Sequence, residues 1–310
     1  FAWIGIDGIQ EDRRVELPAI VWQMGLVAAV SCYVYWGLIV VYWTWLDKVE
    51  SQELLMHRVI WTWLIVFALM AIRGNLKEYW EGLKSARVFR NHLLGAALLA
   101  LNCYLFVYGV TNDRITDASL GYFLCPFVSI FWGRVIEKEK LNGVQLLSIG
   151  LAMIGVSRLA WELDDFPYIA TGIALTWGTY SMLKKHIGMG VFSSLGMEMT
   201  ILAPFATVAL YWYSKQGELA WGTLGYRYDA LIASTGIVTM IPLLLYSYAV
   251  KRVSLTTMGL LQYIMPSMAL GIAVLVFEEP FGSVRLFAFG FIWLALAIYV
   301  WNSVLPKPAR

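Results

Sequence analysis

Ten apolar runs divide this 310-residue chain from end to end, each close to the ~20 residues that a helix needs to cross a bilayer. They read 18–45, 53–72, 90–110, 118–136, 143–160, 166–184, 194–213, 230–250, 255–277 and 285–305. Inside lipid every backbone N–H and C=O must find its partner within the protein, so a spanning chain is helical or forms a closed barrel. The alternation over ~10-residue segments that marks barrel strands is absent. The sequence therefore predicts an all-α membrane protein with ten transmembrane helices. Composition agrees: 60% of residues are hydrophobic and 14% charged, too few charges to cover soluble domains of this length. The same hydrophobicity excludes a disordered chain. A net charge of +2 gives no electrostatic case for nucleic acid. Cys32, Cys103 and Cys125 lie inside apolar runs and read as small buried residues, not as a disulfide framework.

Loop charges set the orientation. Residues 1–17 read as a cytoplasmic N-terminal segment; Arg13 and Arg14 follow its apolar start, the reverse of a secretory signal. Lys and Arg concentrate in alternate connections, most densely at Arg73, Lys77, Lys84, Arg87 and Arg90, with Lys184 and Lys185 counted in the connection after the sixth run. The bias places both termini, including the tail 306–310, in the cytoplasm. Trp43, Trp45, Trp212, Trp221 and Trp301 fall near run ends, where an interfacial belt is expected. Trp36, Trp61, Trp63, Trp132 and Trp177 fall inside runs, where they wall a cavity or pack against neighbours.

The chain also repeats itself. Pro126 and Glu139 recur as Pro266 and Glu279, 140 residues on, and Trp36-Gly37 recurs as Trp177-Gly178. The halves 18–160 and 161–305 then hold five helices each, and an odd number forces the second half to enter the membrane from the opposite side. Inverted repeats of this kind let transporters open alternately to the two faces around a site near the midplane.

Ionisable and polar groups within a span are costly and point to a pathway. His57 and Arg58 stand in the second run, and Glu198, at the repeat position of His57, stands in the seventh. The inversion puts them near opposite faces, as polar gates or a proton-coupling pair; the alternatives are an Arg58 that snorkels and a Glu198 held by a backbone group or a loop lysine. Asn102, Tyr122, Gln262 and Tyr263 are the neutral candidates, facing a cavity or bonding helix to helix. Pro126, Pro242 and Pro266 interrupt their helices, and broken helices line transporter cavities. Glu139 and Glu279 sit at helix ends and read as anchors. The sequence has no nucleotide loop, nucleophile elbow or clustered metal-ligand motif, so it predicts no catalysis, cofactor or metal.

The ordered strings YWG (35–37), ELLMHRVIW (53–61), DASLGYFLCP (117–126), GIVTMIPLL (236–244), GLLQYIMPS (259–267) and FAFGFIWLALAIY (287–299) touch both halves. Together they resemble the RarD-type family in the EamA-like branch of the drug/metabolite transporter superfamily. The resemblance implies ten helices in two EamA-type repeats and export of a small metabolite or drug-like solute across the bacterial inner membrane. The chain departs from the family pattern at Cys103 and Leu124-Cys125, near the expected pathway, and at Tyr180-Ser181. An accessory subunit that keeps the fold without transport is the alternative. The apolar helix surfaces suit lipid, a homodimer or a larger membrane complex equally.

Overall fold

The computed structural model describes residues 19–163, 165–278 and 282–304. The N-terminal segment 1–17, Glu279 and the tail 306–310 lie outside them. The described residues form helices α1 (Ala19–Trp43), α2 (Ser51–Arg73), α3 (Leu76–Lys84), α4 (Ala86–Thr111), α5 (Ile115–Val135) and α6 (Gly143–Ala160). They continue with α7 (Tyr168–His186), α8 (Val191–Gln216), α9 (Tyr226–Val250), α10 (Leu255–Gln262), α11 (Ile264–Leu275) and α12 (Ser283–Val304). No strand occurs among the described residues.

Nine helices among the described residues are long and apolar enough to cross a membrane, with α10 and α11 counted together as Leu255–Leu275. The sixth expected span forms as α7, but Thr171, Thr176, Thr179, Ser181, Lys184 and Lys185 leave it less apolar than the nine. Two features were not expected. The short α3 occupies the basic connection after α2. The ninth run is broken, with α10 ending at Gln262 and α11 starting at Ile264. Pro266 contributes to the break, since it has no N–H to give the Gln262 carbonyl one turn earlier.

Local signals set the other boundaries. Gly74 ends α2 and Gly217 ends α8, each in the left-handed region (φ 73° and 74°) that a glycine adopts without strain. The N–H of Asn75 reaches back to the Met70 carbonyl and that of Glu218 to Tyr213, closing both ends alike. Asn142 and Gln145 form a capping box at the start of α6.

The chain divides into two compact units, residues 19–103 with 183–253, and residues 104–182 with 254–304. In the first unit, α2 packs on α8 and α1 packs on α9. Both pairs run antiparallel. Along α2 and α8, Gln52 meets Tyr213, Trp63 meets Thr200 and Met70 meets Gly196. Along α1 and α9, Gly25 meets Arg252, Cys32 meets Pro242 and Tyr42 meets Leu231. In the second unit α5 lies antiparallel to α10, with Tyr122 facing Gln262 and Pro126 facing Gly259. Thus α2/α8 and α5/α10, helices at equivalent places in the repeat, face each other in opposite directions.

Lipid tails give helices no hydrophobic reason to associate, so close contact depends on small residues and hydrogen bonds. A Cβ at Gly236 would stand 2.6 Å from the Trp61 carbonyl carbon, and one at Gly155 would stand 2.5 Å from the Ala288 carbonyl oxygen. The core of the second unit gathers Leu120, Phe123, Tyr263, Phe289 and Ile292, with Phe123 edge-on to Phe289 at 5.5 Å.

Candidate functional site

Polar side chains of the first unit gather at the two ends of the α2/α8 pair. At one end, the first turns of α2 bring Glu53, His57 and Arg58 to the segment that follows α8. The Glu53 carboxylate is fully buried and accepts the Ala220 N–H at 2.9 and 3.0 Å and the Trp221 N–H at 3.2 Å. His57 Nε2 approaches Glu53 Oε1 to 3.3 Å without hydrogen-bond alignment. The imidazole ring also lies 5.5 Å from the Trp221 ring, which in turn neighbours Trp61. Arg58 is half-buried; its Nε donates to Thr239 Oγ1 at 3.0 Å, and the guanidinium lies over the Trp43 ring at 4.9 Å. Trp43 and Trp221 are half-buried beside this pair, while Trp45, Trp212 and Trp301 are exposed.

At the other end, α8 begins beside the last turn of α7. Lys184 Nζ lies 2.7 Å from Glu198 Oε1 and 2.9 Å from Ser194 Oγ, and all three side chains are excluded from solvent. This corrects the placement of Lys184 among loop charges: helix α7 continues past it and turns it inward. His92 of α4 joins the group with Nε2 at 3.1 Å from Ser194 Oγ, while its Nδ1 lies 2.8 Å from the Val88 carbonyl. Glu78 of α3 accepts the Gly190 N–H at 2.6 Å and the Ser193 hydroxyl at 2.5 Å, closing the start of α8. Lys251, just past α9, is half-buried and donates to the Met189 carbonyl. Burial, with the Lys184 charge nearby, pushes its ammonium down to about 8, against the pull of Glu198 and Glu78.

The neutral candidates occupy different surroundings. Asn102 is buried in the first unit. In the second, Tyr122 is half-buried against Phe106 at 5.6 Å. Gln262 and Tyr263 are buried at the α10–α11 break and point at the backbone of α5. Tyr263 donates its hydroxyl to the Phe123 carbonyl at 3.1 Å, and the Gln262 amide approaches the Tyr122 carbonyl at 3.5 Å. That carbonyl is the one Pro126 deprives of its helical donor. Pro242 lies within α9, its carbonyl accepting the Cys32 thiol at 3.2 Å. Pro204 also lies inside α8, an interruption the sequence reading did not single out.

Glu139 closes the start of α10, accepting the N–H groups of Leu255 at 2.7 Å and Thr256 at 3.1 Å. Asp117 does the same for α7: it accepts the Ala170 N–H at 2.9 Å and pairs with Arg114 at 2.9 Å. The residues missed from the sequence are therefore Glu53, His92, Ser194, Lys184 and Asp117. One signal for the first group was present: Glu53 and His57 repeat as Ser194 and Glu198, the same four-residue spacing at equivalent positions. Among the described residues, no three His, Cys, Asp or Glu side chains gather to hold a metal ion.

The sequence pattern described as the EamA-like transporter family matches residues 23–160 and again residues 168–301. Protein RarD of Streptomyces exfoliatus is 34% identical over 91% of this chain and 90% of its own length. An uncharacterized transporter of Pseudomonas aeruginosa is 32% identical, covering 92% of this chain and 98% of its own. A chloramphenicol-sensitive protein RarD from the same organism is 28% identical over 86% of this chain and 90% of its own. A solved crystal structure, 14% identical, shares the fold with a TM-score of 0.71 over 90% of this chain and 98% of that one.

Proposed function

We propose, on the premise that this chain belongs to the EamA-like transporter family, that it is a secondary transporter moving a small metabolite or drug-like solute out across the bacterial inner membrane. In this reading α7 supplies the tenth span, both termini face the cytoplasm, and the two halves alternate access to the solute. One observation carries the proposal: repeat-equivalent helices α2 and α8 lie antiparallel, with an ionisable group near the start of each. Such a pair presents similar polar ends to opposite faces, as alternating access requires.

His57 and Arg58 gate one face in this scheme and Glu198 gates the other. Asn102, Tyr122, Gln262 and Tyr263 belong to the pathway, and Pro126 within α5, Pro242 within α9 and Pro266 beside the α10–α11 break line it. No feature of the described residues favours the accessory-subunit reading. The test is flux in proteoliposomes holding the full chain, with a panel of amino acids, organic acids and chloramphenicol, each with and without a pH gradient. Protein-dependent flux that Arg58→Ala and Glu198→Gln reduce supports the proposal. Normal flux and normal pH dependence in both variants would overturn the gating roles.

A further inference from the structure

We propose that His92 is a proton-binding site, and that Ser194 and Lys184 link its protonation to Glu198 and so to the contact that His92 of α4 makes with the start of α8. The chemistry stands on the local geometry alone; its consequence for transport rests on the reading above.

The hydrogen-bond directions follow from what each atom can do. The Val88 carbonyl only accepts, so His92 Nδ1, 2.8 Å away, carries the hydrogen and donates. A neutral imidazole has a single N–H, which leaves Nε2 as a lone pair facing Ser194 Oγ at 3.1 Å. The Lys184 ammonium only donates, giving one hydrogen to Ser194 Oγ at 2.9 Å and another to Glu198 Oε1 at 2.7 Å. Ser194 accepts from Lys184 and gives its own hydrogen to His92. The chain of donors thus runs from Lys184 in two directions, to Glu198 and through Ser194 and His92 to Val88.

This order holds only while His92 is neutral. A proton from water that bonds to Nε2 makes a second N–H and removes the acceptor that Ser194 was using. The hydroxyl must then turn its hydrogen away, and two cationic donors converge on its oxygen. No other bond forms or breaks, and the site gains one positive charge. The charges that face it are Lys184 from α7, Glu198 from α8 and Lys251 beyond α9, with Glu78 of α3 next to Lys251. Lys184 and Glu198 already balance each other, so the added charge has no counter-ion of its own in an interior that excludes solvent. An uncompensated buried charge is strongly disfavoured. Protonation therefore favours arrangements that admit water where α7 meets α8, which makes the opening of that end sensitive to pH.

The direct test uses the full chain in lipid nanodiscs with 15N-labelled histidine. The sequence holds only three histidines, His57, His92 and His186, and His92→Gln assigns the signal of interest. The expected result is a neutral His92 with its hydrogen on Nδ1 that gains a second N–H as the pH is lowered. Ser194→Ala shifts that midpoint by about half a pH unit or more, and Ser194→Thr, which keeps the hydroxyl, restores it. A His92 that never gains the second N–H, or a midpoint indifferent to Ser194→Ala, overturns the proposal. For any solute the proteoliposome panel shows moving, His92→Gln removes the difference in flux between about pH 6 and about pH 8. An undiminished difference overturns the link to transport. If the panel shows no flux, the transporter reading fails while the ring-nitrogen titration still decides the proton site.

Discussion

Lys184 Nζ stands 2.7 Å from Glu198 Oε1 with both side chains fully withdrawn from solvent, the most deeply buried ion pair among the described residues. Dehydrating two such charges costs nearly as much as their attraction returns, so the pair adds little net stability by itself. Its value is conditional: each charge offsets much of the other's burial penalty. That dependence gives the pair a clear mutational signature.

Removing one partner strands the other. Glu198→Leu alone or Lys184→Met alone should destabilise the chain by about 3–5 kcal/mol, whereas the double variant should regain most of that loss. Thermal unfolding of the four proteins in one detergent reads the cycle. Equal, additive losses in the double variant would show that the two charges do not depend on each other.

Glu53 does different work, because its carboxylate closes backbone rather than charge. It holds the N–H groups of Ala220 and Trp221, which have to be satisfied where the segment after α8 turns inward. Glu53→Ala leaves both orphaned, at a cost of about 1–3 kcal/mol for each buried donor. Glu53→Gln keeps one carbonyl oxygen and should lose roughly half as much. Faster amide exchange at Ala220 and Trp221 in Glu53→Ala, with α6 and α12 unchanged, would locate the loss.

These two clusters show where sequence reading succeeds and where it stops. The helical class, the place of nearly every span and the Pro126/Pro266 correspondence follow from run length, hydropathy and repetition, which are local or periodic properties. His57, Arg58 and Glu198 are visible because charges in apolar runs are rare. Lys184 is invisible for the opposite reason: it sits at the boundary of its run, where a lysine reads as a loop charge, and only packing of α7 against α8 decides that it turns inward. Glu53 is hidden in the same way at the start of α2. The break at Tyr263 needed more than Pro266, since Pro126 at the equivalent place leaves α5 continuous.

Lys251 gives a pH-dependent prediction. Its ammonium is held down to about 8, below the ordinary lysine value of about 10.4 in the unfolded chain. Between those values the unfolded chain binds the extra proton, so stability rises with pH across that window. Below about 8 both states are protonated, and the folded state carries the full penalty of the buried charge. Lys251→Met removes the titrating group, so its stability relative to the parent should be greatest below about pH 8 and should shrink as the pH approaches 10. Unfolding in detergent at a series of pH values measures it; a constant difference would contradict the assignment of the penalty to this ammonium.

The second unit offers a test of how a proline's gap in a continuous helix is filled. Pro126 has no N–H for the Tyr122 carbonyl, and the amide of Gln262, the residue 140 positions away at the equivalent place in the repeat, approaches that oxygen at 3.5 Å. If this contact answers the proline, its worth must depend on the proline. In the parent chain Gln262→Leu removes this donor and should cost about 1 kcal/mol. In Pro126→Ala the residue at 126 recovers its N–H, the carbonyl is satisfied within α5, and the same Gln262→Leu change should cost much less. The coupling energy from the four unfolding measurements should be about 0.5–2 kcal/mol, with the sign that makes Gln262 matter only beside Pro126. A coupling near zero would mean that Gln262 is held by something other than the gap the proline opens.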